Sequence, residues 1–240
     1  MWTREQLKNR CKDVMKQNYW MMFLVALIAS LLGATNEFHV SIRSSAILQF
    51  FASFFYFPFS HLDFYADNYL AYTLMISVVL LLVGIILLIV FVIKAFLCNP
   101  IQCGICHFFI ENRTSKPSVS LVFQCFSNNY MNIVKIMFLK DIKVALWSIL
   151  FIIPGIIKYY EYRMIPYILA NHPDISTKEA FAQSKAMTAS EKFNIFVLDL
   201  SFIGWRILGS FIIIGNLFVN PYYEGVQAEL YEIVKQKVSY

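Results

Sequence analysis

Apolar and polar positions alternate along this chain in two distinct rhythms. In some stretches they recur at helical spacing, and in others polarity disappears altogether. Residues 74 to 93, LMISVVLLLVGIILLIVFVI, are twenty consecutive uncharged positions. At about 1.5 Å per residue they match a hydrocarbon core of roughly 30 Å. That segment predicts an integral membrane protein. The opening residues follow the other rhythm. Thr3 followed by Gln6 has the form of a capping box, after which Leu7, Cys11, Val14 and Met15 fall on one helical face and Arg4, Lys8 and Lys12 on another. This spacing predicts an amphipathic helix on the inner membrane surface.

Extending the pattern predicts an all-α, polytopic fold of about six transmembrane helices, with interfacial amphipathic helices, in one membrane domain over 1–240. The spans fall at about 17–35, 70–97, 130–153, 156–171, 193–206 and 210–223. Residues 1–16 and 176–192 are the inner-surface helices, the second with Ala180, Phe181, Ser184 and Met187 at helical spacing, and 224–240 is a cytoplasmic tail. Pro154-Gly155 is the expected break between the third and fourth spans, since proline lacks the amide donor and glycine relaxes the backbone; a kink within one span is the other reading. The stretch 193–219 is long for one span and short for two, and Asp199 and Arg206 inside it favour two. The aromatic run around 50–59 is too short to span and reads as an outer cap or re-entrant segment, with a further full span as the minority reading.

The three long apolar runs after 17, 130 and 193 share a preface: an amphipathic stretch, then an elbow at Asn18-Tyr19-Trp20, Asn129-Tyr130-Met131 and Glu191-Lys192-Phe193. Three helical hairpins, each entered through an interfacial helix, account for the pattern.

Composition agrees: 59% of residues are hydrophobic and 15% charged, beyond what a soluble domain conceals. The net charge of +5 does not point to nucleic acid, because the basic residues cluster beside apolar segments. Residues 1 to 16 carry five basic and two acidic side chains, and residues 34 to 69 one basic and three acidic. The positive-inside rule then places both termini in the cytoplasm and the protein in the cell membrane. A cleaved leader is not expected, because the segment Ala29 to Ala34 is a poor cleavage site. The five cysteines are an odd number, and none lies in the outer segment, which fits reduced thiols on the cytoplasmic side.

Candidate chemistry is sparse. Cys103-Gly104-Ile105-Cys106-His107 matches the C-x-x-C-H pattern of haem attachment. It falls on the side assigned to the cytoplasm, and adjacent Cys106 and His107 reach one metal ion poorly, so the stretch reads as a small-residue helix start. Ionisable residues inside spans are costly and often functional. Lys158, Glu161, Arg163, Asp199 and Arg206 are therefore the candidate intramembrane polar positions, with Pro154 and Gly155 as candidate hinges. Lys158 and Glu161 are three apart and can pair on one face; Asp199 and Arg206 are two turns apart and can pair with each other or with other helices. Tyr159, Tyr160 and Tyr162 read as an interfacial aromatic belt. No catalytic constellation, phosphate loop or metal-ligand spacing is present, so neither an enzyme nor a cofactor is expected.

The chain resembles an uncharacterised bacterial integral-membrane family, the domain of unknown function 975. The blocks that carry the likeness are Leu146-Trp147-Ser148-Ile149-Leu150 running into Ile153-Pro154-Gly155-Ile156-Ile157-Lys158, then Tyr162, Pro166-Tyr167-Ile168-Leu169-Ala170, Asp199 through Trp205, Pro221-Tyr222 and Glu229-Leu230-Tyr231. The resemblance implies a multi-pass membrane fold and supplies no reaction or catalytic residue. The expected partners are the lipid bilayer and an unidentified membrane protein. A non-enzymatic scaffold, accessory or regulatory component is the favoured function, and a small transporter or channel for a peptide, lipid or small solute is the alternative.

Overall fold

The computed structural model describes residues 2–32, 69–127, 129–211 and 215–238. Among them there are helices and no strand, so the all-α class stands. Contacts divide the chain into two units, Met1–Asn36 with Lys94–Tyr240, and Glu37–Ile93.

Helix α1 (Arg4–Leu32) starts with the predicted capping box. The Gln6 amide donates to Thr3 Oγ1 at 3.2 Å, and the Thr3 amide donates to Gln6 Oε1 at 3.1 Å. Leu7 and Cys11 are buried while Arg4 and Lys12 face outward, as the spacing required. Asn18 interrupts the helix with φ −144°, ψ 35°, so the amphipathic part and the apolar part point in different directions. The predicted 17–35 span begins just there, and its last residues lie outside the described set.

The smaller unit contributes α2 (Tyr69–Ile93). The helical run Thr73–Glu111 is, among the described residues, the one that is long and apolar enough to cross a membrane, and none of its most apolar stretch is buried. A π-helical turn, Lys94–Cys98, leads into α3 (Asn99–Glu111). Pro100 explains that turn. Its nitrogen carries no hydrogen, so the Phe96 carbonyl four residues back loses its helical donor, and Tyr130 Oη donates to that carbonyl at 2.7 Å instead.

Helix α3 is the centre of the larger unit's core. Cys103, Ile105, Cys106, Phe108 and Phe109 are at most 2% exposed. A 3₁₀ helix, Val119–Phe126, lies against it. Next come α4 (Tyr130–Leu150), α5 (Ile152–Glu161) and α6 (Ile165–Asn171). The break between α4 and α5 falls at Phe151, which is extended (φ −154°, ψ 137°), and not at Pro154-Gly155. Proline belongs in a first helical turn, where its missing N–H would have been unpaired anyway. Gly155 serves close packing: a Cβ there would lie 2.4 Å from Ser148 Oγ and 2.6 Å from Ser148 Cα.

The predicted 156–171 span is likewise not one helix. It is interrupted at Tyr162–Met164, and α6 is buried in protein along most of its seven residues. Pro166 stands in α6's first turn and starts a new helix there.

Helix α7 (Thr177–Thr188) opens with a full Ser176–Glu179 capping box, and it buries Ala180, Phe181, Ser184 and Met187, the four positions the spacing picked out. Helix α8 (Lys192–Phe211) runs beyond the expected stop at Trp205. Helix α9 (Gly215–Val238) passes through Pro221 without ending. Its second half is no tail: Tyr223, Val226, Ala228, Leu230, Tyr231 and Val234 are 2% exposed or less and pack in the core.

All three anticipated elbows are backbone breaks. Asn18 is non-helical, Asn129 has φ 47° immediately before α4, and Glu191 lies in the turn before α8.

Candidate functional site

Four of the five residues that the sequence offered as intramembrane polar positions, Lys158, Glu161, Arg163 and Asp199, fall into two clusters built around the α5–α6 turn. Glu161, the last residue of α5, receives Lys158 Nζ on one carboxylate oxygen at 2.9 Å and Lys192 Nζ on the other at 3.1 Å. The expected Lys158–Glu161 pair thus exists, and Lys192 ties it to the start of α8. The backbone is closed by different side chains, Ser184 and Thr188. The Glu161 carbonyl, left over at the helix end, accepts from Ser184 Oγ at 2.7 Å and from Thr188 Oγ1 at 3.4 Å.

Two residues further on, Arg163 enters the second cluster. Its side chain is 2% exposed. Nη2 donates to Asp199 Oδ1 at 3.0 Å, Nη1 donates to Asp199 Oδ2, and Nη2 also meets Tyr223 Oη. Tyr223 Oη and Gln227 Nε2 donate to Oδ1 at 3.1 and 3.2 Å, and Tyr160 Oη donates to Oδ2 at 3.0 Å. The guanidinium carbon lies 5.5 Å from the Tyr160 ring centre, 5.8 Å from Tyr159 and 5.9 Å from Tyr223, within cation–π range. One carboxylate therefore holds together the α5–α6 turn, α8 and α9.

Asp199 thus pairs with Arg163; the side chain of Arg206 lies outside the described set. The turn after α5 delivers Arg163 to Asp199 from another part of the chain. Two of the three tyrosines are packed within protein, and Tyr159 is half-buried. Tyr160 and Tyr162 are each 9% exposed, Tyr160 bonded to Asp199 and Tyr162 edge-on to Phe181 at 4.9 Å.

Tyr223, Gln227 and Lys192 were missed by sequence reasoning. Tyr223 and Gln227 sit four apart on α9, a one-face signal that was legible but was divided between the end of the 210–223 span and the tail. Two further ion-pair groups were also missed, both tying α9 to other parts of the chain. Arg113 binds Glu229 at 2.9 Å and Glu232 at 3.6 Å. Glu191 accepts from Asn194 Nδ2 at 2.8 Å and pairs with Lys237. Burial pushes the Glu191 carboxyl up, but the hydrogen bonds from Asn194 and Lys237 and the lysine's charge outweigh it and hold it below the ordinary carboxylate range.

Two cavities among the described residues lie elsewhere. One of about 510 Å³ is lined by His172, Asp174 and Glu179, and one of about 310 Å³ by His107, Glu111, Gln124 and Cys125. None of Lys158, Glu161, Arg163 or Asp199 lines either. In the C-x-x-C-H stretch, Gly104 is where α3 touches the 3₁₀ helix: a Cβ there would sit 1.8 Å from the Val122 carbonyl oxygen. Cys103 shares a hydrogen bond with Cys125, and burial pushes its thiol well up. Among the described residues no three His, Cys, Asp or Glu side chains gather as a metal-ligand group.

With this geometry in place, the comparisons with known proteins have one outcome to match. The profile described as "Protein of unknown function (DUF975)" covers residues 1–238. The chain belongs to that family. No curated protein and no solved structure matches it. Family membership accordingly carries no assigned activity for DUF975 positions such as Arg163 and Asp199, and their roles rest on their contacts alone.

Proposed function

We propose that this protein is a non-enzymatic, multi-pass component of the cell membrane, with both termini cytoplasmic, that works by packing against another membrane protein. The observation that carries the reading is the state of Asp199. A carboxylate has about four acceptor sites, and five hydrogen bonds from Arg163, Tyr160, Tyr223 and Gln227 already occupy this one. A saturated carboxylate fastens helices and has no capacity left for an ion or solute. Outward-facing apolar side chains support the membrane placement: Trp20 and Leu24 on α1, and Leu200, Ile203, Trp205 and Ile207 on α8.

The alternative, a small transporter or channel, draws on two atoms of the same cluster. Arg163 Nε and Gln227 Oε1 are buried and lack hydrogen-bond partners, a spare donor and a spare acceptor beside Asp199. Capture of partners from native membranes with the unsubstituted protein and with Asp199→Asn separates the readings. A specific partner lost in the variant supports the packing role, while partner-free protein whose reconstituted vesicles show altered solute flux overturns it.

A further inference from the structure

We infer that α4 and α5 form a helical hairpin that enters one leaflet of the bilayer and turns back inside it without crossing. The inference deepens the membrane reading proposed above and rests on it. Ala145 through Ile153 are nine consecutive exposed residues without a charge among them. Ile149 is 83% exposed, Ile152 76% and Ile153 72%. A contiguous apolar tip of this kind is what water penalises and acyl chains accept.

The length of the legs decides how deep it goes. The charges nearest the tip are Lys143 on the ascending leg and Lys158 on the descending one. Phe151, at the bend, is eight residues from the first and seven from the second, so the tip stands about 10–12 Å above them at 1.5 Å per residue. Half of a hydrocarbon core is about 15 Å. Helix α5 as a whole has 10 residues, about 15 Å, which cannot reach across.

Nor can the hairpin sink further. Below Lys143, α4 is locked into protein by Ile133, Val134, Ile136 and Met137, and below Lys158 the chain turns into the buried Glu161 and Arg163. Both lysines are held at the base. Lys143 Nζ lies 3.6 Å from the Phe181 ring centre, and Lys158 Nζ lies 5.8 Å from that of Trp147 and 5.5 Å from that of Tyr162. Lysines at the base of an apolar tip, with the exposed Trp147 beside one of them, suit a membrane–water interface.

Several polar groups of the tip are paired within it. The Phe151 amide donates to the Trp147 carbonyl at 3.0 Å, and the Gly155 amide to the Phe151 carbonyl at 3.1 Å. Pro154 has no amide to leave unpaired, and Ser148 Oγ donates to the Val144 carbonyl at 2.8 Å. Ser148 and Gly155 bring the legs into contact, the small-residue packing that suits helices in lipid. Exchanging two crossings for one hairpin leaves the parity of crossings unchanged, so both termini stay on one side.

The test uses full-length protein carrying Ile149→Cys, with Ile152→Cys as a second tip position and Lys135→Cys as a flank. The unsubstituted chain, whose native thiols are largely buried, supplies the background. In intact cells a membrane-impermeant maleimide is expected to label none of the three. After permeabilisation it should label Lys135→Cys alone. A fluorophore at position 149 should be quenched more by lipids brominated deep in the acyl chain than by those brominated near the headgroup. Labelling at 149 from outside, with shallow quenching, means that α4 and α5 cross, which overturns the hairpin and leaves the membrane reading standing. Absence of lipid quenching combined with cross-linking of position 149 to another polypeptide means that protein covers the tip, and also overturns it. Release of the protein by alkaline carbonate, with aqueous labelling at 149 and 152, overturns the membrane reading together with the hairpin.

Discussion

Arg163 and Asp199 are 36 residues apart in sequence and meet as a two-pronged ion pair that joins the turn after α5 to α8. Tyr223 and Gln227 extend the pair onto α9. Three segments with no sequence proximity thus converge on one carboxylate. A buried pair of this kind contributes less through its own attraction than through what its loss leaves behind.

Asp199→Asn keeps the shape of the side chain and strands the guanidinium. The expected cost is about 3–5 kcal/mol, measurable as a lowered thermal midpoint in detergent micelles. Replacing both partners, Arg163→Met with Asp199→Leu, should recover most of that loss. If the double variant is as unstable as Asp199→Asn, the charge is not what matters at this position.

Gly104→Ala should be more harmful than Cys103→Ala or Cys106→Ala. The added methyl would meet the Val122 carbonyl oxygen at 1.8 Å, so α3 and the 3₁₀ helix must separate, at a cost at or above the roughly 1–3 kcal/mol usual for overpacking. The cysteine truncations only remove a sulfur from the core. A haem or metal motif would give the opposite ranking, so urea or thermal unfolding of the three variants distinguishes a packing glycine from a ligand pair.

At the elbow before α4, Asn129 has φ 47°, the one non-glycine residue with positive φ among those described. Asn129→Ala should cost about 1–2 kcal/mol, since a Cβ without a compensating polar group is strained there. Asn129→Gly should be close to neutral. Equal effects of the two variants in the thermal midpoint would mean that the side chain, and not the backbone, sets the elbow.

Glu191 links stability to pH. Its carboxyl is held below the ordinary value of 4.5 in the folded chain, so its contribution is complete above that value and is lost as pH falls through the lower folded one. The native protein should therefore exceed Glu191→Gln in thermal midpoint at neutral pH, and the gap should shrink on acidification toward pH 3. A gap that is constant with pH would show that the Lys237 pair is not linked to folding.

How far the sequence could be read depended on the range of the interaction. The capping boxes at Thr3 and Ser176, the buried face Ala180–Phe181–Ser184–Met187 and the three elbows all follow from spacing within one or two turns, and all are present. The Lys158–Glu161 pair is equally local. Arg163–Asp199 is not: spacing left Asp199 open to Arg206 or to another helix, because a helix pattern only reveals neighbours on the same helix. The end of α9 was misjudged for the same reason. A stretch of mixed polarity looks like a solvated tail until Glu224, Gln227 and Glu229 are found buried. The break at Phe151 was placed three residues late because proline announces a helix start as readily as a helix end.

The reach of the Arg163 cluster also has a consequence for how the chain is made. Asp199 follows Arg163 by 36 residues and Tyr223 follows it by 60. At roughly 5–20 residues per second on the ribosome, the guanidinium is synthesised several seconds before the last of its acceptors exists. During that interval the guanidinium stands without the carboxylate and hydroxyl that α8 and α9 later bring to it. The order of synthesis therefore makes the arrival of α8 and α9 the event that seals the first two-thirds of the protein, and chains that stop before Asp199 are the ones that quality control should find unfinished.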